Sequence, residues 1–201
     1  MKLYVLLLLV PFCVGNIPSC CMPRQATYDE FTVSSNVDSH GRLHSFESKG
    51  KVYFDFDRKV RLNILTKTDE KDQSQHVISF TDYNVGKTYE VVDGHCTIKD
   101  VLLINGSMAA NCFPCPNAGN SYIGREILGD TLTDVWRTDL RQSHGFMAVM
   151  HVSAKDCLVM SETDYGSIQG VPTQSTTFTS NAVPRVENSS VFVVPRECQQ
   201  I

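Results

Sequence analysis

The sequence predicts an all-β fold with minor helix, an antiparallel sandwich or open barrel. Three observations carry this expectation. Apolar and polar residues alternate in run after run, the period-two pattern of strands whose successive side chains point to opposite faces. The runs recur about every ten residues, with Gly, Asn and Asp between them. No convincing amphipathic helix interrupts them.

Met1-Lys2 leads into an apolar run ending at the small residues around Cys13-Val14-Gly15, the layout of a secretory signal peptide. The run is too short to cross a membrane as a helix, and no later segment is long and apolar enough to be a transmembrane span. Residues 1–15 are expected to be removed, and 16–201 to form a single secreted domain. The net charge of −4 argues against nucleic acid, because phosphate binding needs a basic face. It is also too mild for a dedicated acidic mineral binder.

Asn16 to Gln25, rich in Pro and Cys, reads as an extended, disulfide-tied start. Thr27 to Val33 and Arg42 to Glu47 read as strands on either side of the His40-Gly41 turn. Lys51 to Leu65 is the clearest stretch. Val52, Phe54 and Phe56 alternate with polar residues, and after Asp57-Arg58-Lys59 so do Val60, Leu62 and Ile64. This predicts a β-hairpin with all six apolar side chains on one face. That face is either plain core or part of an apolar cavity. A polar loop follows, then strands at His76–Phe80 and Lys87–Val92. Asp93-Gly94 is a tight turn, because Gly accepts positive φ there. Cys96 to Ile104 resumes the apolar pattern, and Asn105 to Asn120 is an irregular excursion. Ser121–Leu128, Thr131–Arg137 and Gly145–Val152 are further strands, and Asp156–Asp164 is the partner of the last. Phe146, Ala148, Met150 and Val152 offer a second apolar face. Thr173–Ser180 is a strand with one wet face, and Val191–Cys198 closes the chain as a final strand.

Without Cys13 the chain keeps Cys20, Cys21, Cys96, Cys112, Cys115, Cys157 and Cys198. An oxidising compartment favours pairing, and an odd number leaves one free or bound to another chain. Cys112-Phe-Pro-Cys115 has the spacing of a redox or zinc pair, but its Asn/Gly/Pro-rich surroundings favour a local structural disulfide. One of the adjacent Cys20 and Cys21 is then expected to be free or to link two chains. Asn105 and Asn188 head N-glycosylation sequons. Asp55 with Asp57, and Asp130 with Asp134, are candidate calcium ligands, since closely spaced carboxylates can share a hard cation with backbone oxygens. No other cofactor is expected. The six histidines form no HExxH frame or visible triad, and no P-loop occurs, so no enzyme is expected.

Several pieces together resemble the ependymin-related family of secreted glycoproteins. They are Cys21-Met-Pro23, the Tyr-Phe-Asp-Phe-Asp-Arg-Lys-Val-Arg stretch from Tyr53, Thr88-Tyr-Glu-Val-Val-Asp-Gly-His-Cys96, Asp134-Val-Trp136, Lys155-Asp-Cys157 and Ser190-Val-Phe-Val-Val-Pro-Arg-Glu-Cys-Gln199. They are spread over nearly the whole mature chain, in the family's order. The resemblance implies two curved antiparallel sheets forming an open half-barrel around a deep apolar pocket, a fold similar to bacterial lipoprotein carriers. It implies non-enzymatic lipid binding, calcium affinity and homodimers, and for some invertebrate members a place in extracellular or calcified shell matrices. By position it implies the pairs Cys96–Cys198 and Cys20 or Cys21 with Cys157. Cys112 and Cys115 look like additions to the family pattern.

The function expected is therefore binding of a hydrophobic small molecule or lipid by a secreted glycoprotein. Val52, Phe54, Phe56, Val60, Leu62, Ile64, Phe146 and Met150 are the expected pocket lining. The alternative is a structural component of an extracellular or mineralised matrix.

Overall fold

The computed structural model describes residues 17–101, 112–113, 120–141, 145–168 and 171–199. The expected signal peptide, Asn105 and Cys115 lie outside the described residues. The described residues form thirteen strands: β1 Cys20–Cys21, β2 Gln25–Val37, β3 Leu43–Asp55, β4 Val60–Asp69, β5 Ser74–Asp82, β6 Lys87–Val92, β7 His95–Asp100, β8 Cys112–Phe113, β9 Asn120–Leu128, β10 Thr131–Leu140, β11 Phe146–Ser153, β12 Val159–Ile168 and β13 Val171–Val183. Eleven form one antiparallel sheet in the order β7-β6-β5-β4-β3-β2-β13-β12-β11-β10-β9. Two meanders, β2 to β7 and β9 to β13, meet where β2 pairs with β13. The short β1 pairs with β8. Among the described residues no helix is long and apolar enough to cross a membrane.

The sheet is curled, and its two halves face each other as the two expected sheets. In a flat sheet Arg61 on β4 and Glu162 on β12 would stand four strand spacings apart, roughly 19 Å. Instead Arg61 acts electrostatically on Glu162. Gly50 marks one bend. A Cβ there would lie 2.0 Å from the Ile64 carbonyl oxygen and 2.8 Å from the Leu65 Cα, so β3 and β4 approach more closely than any side chain allows. Gly166 plays the same part between β12 and β11. Its φ is +150°, and a Cβ would meet the Gly145 carbonyl oxygen at 2.3 Å. The strands expected at Arg42–Glu47 and from Lys51 are thus one long strand bent at Gly50, because glycine lets the ladder continue through the bend.

Register decides which side chains face inward. Phe54 lies opposite Arg61, and Tyr53 opposite Leu62. Directly paired residues share a face, so Val52 and Phe54 point to the concave side with Arg61 and Asn63. Val60, Leu62 and Ile64 point outward. The expectation of one six-residue apolar face is corrected here. The turn between Asp55 and Val60 holds four residues, an even number, and this swaps the parity of the two strands. Asp55, 1% exposed, fixes that turn by accepting from the Arg58 backbone N–H at 3.0 Å and from Gln25 Nε2 at 2.8 Å.

The outward apolar set is covered by the end of the chain. Val60, Leu62 and Phe80 pack against Val186 and Phe192, with Ile64, Ile78, Tyr89, Val191 and Val194 around them. Burying Val186 and Phe192 contributes about 3–6 kcal/mol as an upper bound. Arg58 stands over the Phe192 ring, 5.4 Å from its centroid, and donates to the Ser189 carbonyl at 3.0 Å. The closing segment is not the expected strand. It forms two 3-10 turns, Ser189–Val191 and Arg196–Cys198, and lies on the sheet's face rather than pairing with its edge. Pro195, which has no N–H to give a ladder, precedes the second.

Three disulfides join the described cysteines: Cys20–Cys157, Cys21–Cys112 and Cys96–Cys198. The first and third are the pairs that the resemblance implied. Cys96 sits on the edge strand β7, so Cys96–Cys198 fastens the tail to the rim of the sheet rather than to its centre. It closes a loop spanning 102 positions, for which the chain-entropy model gives about 4–5 kcal/mol. The expected local Cys112–Cys115 bridge is replaced by Cys21–Cys112. The β1–β8 ladder sets Cys21 directly opposite Cys112, so both adjacent cysteines find separate partners and neither is left over.

Gly50→Ala should lower stability by about 1–3 kcal/mol or more, because the added methyl must push two backbones apart. Gly124→Ala is the control, with nothing within 4 Å of the added Cβ. Equal urea midpoints for the two variants would remove Gly50 as a point of curvature.

Candidate functional site

The concave side of the sheet has an apolar floor. Ala26, Phe54 and Leu158 pack together with Met22, Tyr28, Phe56 and Ala182. Beside them Trp136, Val152 and Cys157 pack with Cys20, Met22, Tyr122 and Met150. Met22 belongs to both groups, so the segment before β2 is wedged between the two halves of the curl and the Cys20–Cys157 bridge holds it there. The Phe54 and Phe56 rings meet edge to face at 4.8 Å.

Of the expected pocket residues, Val52, Phe54, Phe146 and Met150 share this concave face, and Phe56 joins the floor. Val52 and Phe54 are fully packed, whereas Phe146 and Met150 are half-buried. Val60, Leu62 and Ile64 belong to the outer core under the C-terminal segment.

Beyond the floor the interior is polar. Thr32 and Thr177 bond each other at 2.8 Å across β2 and β13. Ser34 and Ser48 are buried. Arg61 donates to Glu30 at 3.2 Å and to the Asn63 side-chain oxygen at 2.8 Å. The Tyr28 oxygen and then Glu30 hold the Arg61 guanidinium firmly charged against the effect of burial. Burial pushes the Tyr28 hydroxyl up. Arg61 stands beside Tyr28 and Glu30, yet 35% of its side-chain surface stays accessible, so the concave face is not packed shut over it.

Glu162 and Asp164 project into the same space from β12, two residues apart on one face. Burial, then the neighbouring Asp164, pushes the Glu162 carboxyl up to about 7, with Arg61 opposing. Burial raises Asp164 as well, against one hydrogen bond from Ser175. At the open end of the face, Phe46, Lys67, Thr68, Asp69, Gln73 and Gln75 line a hollow of about 260 Å³.

The sequence reading missed Glu30, Arg61, Glu162 and Asp164. The available signal was parity. Glu162 and Asp164 alternate with Ser161 and Thr163 in the run read as the partner of the Gly145–Val152 strand, so whichever face is inward carries either two acids or two hydroxyls.

The expected calcium ligands are not brought together. Asp57 pairs with Arg24, Asp55 serves the turn, and Asp130 is exposed. Asp134 is buried and gripped by Arg125 at 2.8 and 3.1 Å and by the Tyr122 hydroxyl at 3.2 Å. No group of three or more His, Cys, Asp or Glu suited to a metal occurs among the described residues. Asn188 is exposed and accepts from the Ser190 N–H at 3.0 Å.

A line of three side chains on the outer face has triad-like chemistry. His151 contacts Ser161 Oγ through Nδ1 at 2.9 Å and Glu126 through Nε2 at 2.6 Å. Ser161 is 5% exposed, which leaves its hydroxyl no open approach for a carbonyl carbon. The line is a cross-strand polar ladder over β9 to β12.

No protein-family model matches the chain, and no curated protein does. Among solved structures the chain is similar to an uncharacterized conserved protein from Thermus thermophilus, at 5% identity and a TM-score of 0.44, covering 84% of this chain and 86% of that one. It is similar to a DUF1329 family protein from Desulfovibrio piger, at 9% identity and a TM-score of 0.37, covering 85% and 90%. It is also similar to a LolA superfamily protein from Nitrosomonas europaea, at 10% identity and a TM-score of 0.33, covering 86% and 92%.

The raised Glu162 carboxyl makes stability depend on pH. The folded state holds this proton more tightly than the unfolded chain, so the cost of ionising Glu162 is absent below the ordinary value of 4.5 and complete above about 7. Stability should fall as pH rises through that window, by at most about 3 kcal/mol. Glu162→Gln should flatten the fall. Parallel urea titrations at pH 4.5 and 7.5 that show equal slopes for wild type and variant would contradict it.

Proposed function

We propose that this is a secreted, non-enzymatic binding protein that holds a hydrophobic, lipid-like ligand inside the curl of its sheet, in keeping with the ependymin-related resemblance of its sequence. The observation that supports this reading is the open interior space reported by Arg61. A sheet that curls only to bury its own core would close side chain on side chain. Here the floor is packed, whereas Phe146 and Met150 on one half of the sheet and Tyr28 and Arg61 on the other stay only half-buried. Apolar walls with a few convergent polar groups are the usual make-up of a small-molecule site. Calcium is left out of the proposal, because Asp55, Asp57 and Asp134 already serve protein donors.

The homodimer belongs to the proposal through a different surface. Among the described residues the C-terminal segment covers the outer face over β3 to β7 and leaves the central strands uncovered. On the central strands Phe31 and Phe178 stand opposite each other, 39% and 45% exposed, with Val33 beside them. Large apolar side chains grouped on an otherwise wet face suit a partner of the same kind.

A neutral long-chain fluorophore should bind with Kd near micromolar, about −8 kcal/mol. Thr177→Phe, on the inward face, should weaken it at least tenfold, while Ser45→Phe on the outward face should not. Unchanged binding in a folded Thr177→Phe protein would place the ligand elsewhere, and no uptake by a delipidated wild type would favour the extracellular-matrix role instead. Phe178→Lys should convert dimer to monomer in mass photometry, and a wild type that is already monomeric at micromolar concentration removes the dimer.

A further inference from the structure

The interior space carries an unbalanced set of charges. Around Glu162 three carboxyl groups, those of Glu30, Glu162 and Asp164, stand against one guanidinium, that of Arg61, while Lys67 and Asp69 lie at the open end. Arg61 is already committed to Glu30 and Asn63. Among the described residues no hydrogen bond or ion pair reaches the half-buried Glu162 carboxyl. Asp164 takes one long contact from Ser175 at 3.5 Å through Oδ2, and its Oδ1 is buried with no partner. Buried polar groups in folded proteins are almost always satisfied, so the unpartnered Asp164 oxygen beside a second acid needs an explanation. The residues paired with Glu162 on either side, Thr177 on β13 and Met150 on β11, provide no cation.

We propose that Glu162 and Asp164 form the headgroup site of this interior, and that the ligand is a cationic amphiphile, a long-chain amine whose ammonium group is held by the two carboxylates while its chain lies along Phe146, Met150 and the apolar floor. This rests on the hydrophobic-ligand reading above and specifies its polar end. An ammonium group brings three donors, enough to serve both free acceptors. It also supplies a compensating charge, so that Glu162 ionises on binding instead of holding its proton. A fatty acid would do the reverse. Its carboxylate would face two carboxyls, with the single guanidinium already taken.

The pH dependence follows from the same groups. Glu162 faces Asp164 on its own strand, Arg61 on β4, and Glu30 and Tyr28 on β2. Burial and Asp164 raise its proton affinity, and only Arg61 lowers it. A primary alkyl ammonium keeps its charge through the neutral range, so binding must displace the proton from Glu162. Affinity for the amine should therefore rise with pH between 5.5 and 8 and level off above.

The experiment compares three probes of one chain length, dodecylamine, dodecanol and dodecanoate, by displacement of the neutral fluorophore from the full mature chain. Dodecylamine should bind at least tenfold more tightly than dodecanol at pH 7.5, and dodecanoate more weakly than either. Glu162→Gln, close to isosteric and relieved of a buried charge, should remove the preference for the amine and its pH dependence while leaving dodecanol unchanged. Asp164→Asn should reduce the preference and provides the second test if the first variant is impaired. Dodecanol and dodecanoate binding as well as the amine would overturn the headgroup assignment and leave the hydrophobic-ligand reading intact. Binding of none of the three would overturn both. An amine preference that survives in both variants would refute the role of these two residues.

Discussion

Everything in this fold depends on how closely two β-strand backbones can approach at a bend. At Gly50 and at Gly166 a Cβ would fall inside the carbonyl oxygen of the neighbouring strand. Those two positions let an eleven-stranded sheet curl without breaking its ladder, one in each half. A sheet of this width left flat would show both faces to water. Curled, it acquires an inside, and the floor of that inside is packed from both halves at once.

The two faces then take different fates. The outer face over β3 to β7 is closed by the last residues of the chain, which bring Val186 and Phe192 onto Leu62 and Phe80 and are fastened by Cys96–Cys198. Among the described residues the inner face is closed at the floor, where Met22 and the Cys20–Cys157 bridge are wedged. Above it the side chains are short and hydroxylated, or charged. The packing energy of the protein resides in the first set of contacts and in the floor. This leaves the interior free to carry groups that stability alone would disfavour, Glu162 foremost.

Much of the fold was legible in the sequence. Period-two alternation and the Gly, Asn and Asp punctuation located nearly every strand, because each is a local consequence of backbone geometry. What misled was parity. The four-residue turn at 56–59 moved Val60, Leu62 and Ile64 from the expected cavity to the outer core. A turn one residue shorter or longer would have reversed that outcome with almost the same composition. The cysteine framework was half legible. Cys20–Cys157 and Cys96–Cys198 are among the pairs that the resemblance implied, while Cys21–Cys112 depended on a two-residue ladder that composition does not announce.

The sequence by itself determined an all-β chain of many antiparallel strands with a cysteine framework, since alternation and turn chemistry act over a few neighbouring residues. Only the tertiary structure decided which face of each strand is the inside, which cysteine meets Cys21, and that Arg61, Glu30, Glu162 and Asp164 share one space. Those residues are up to 134 positions apart, counting from Glu30 to Asp164. They meet only because the sheet bends at two glycines and turns a distance of four strands into an electrostatic contact.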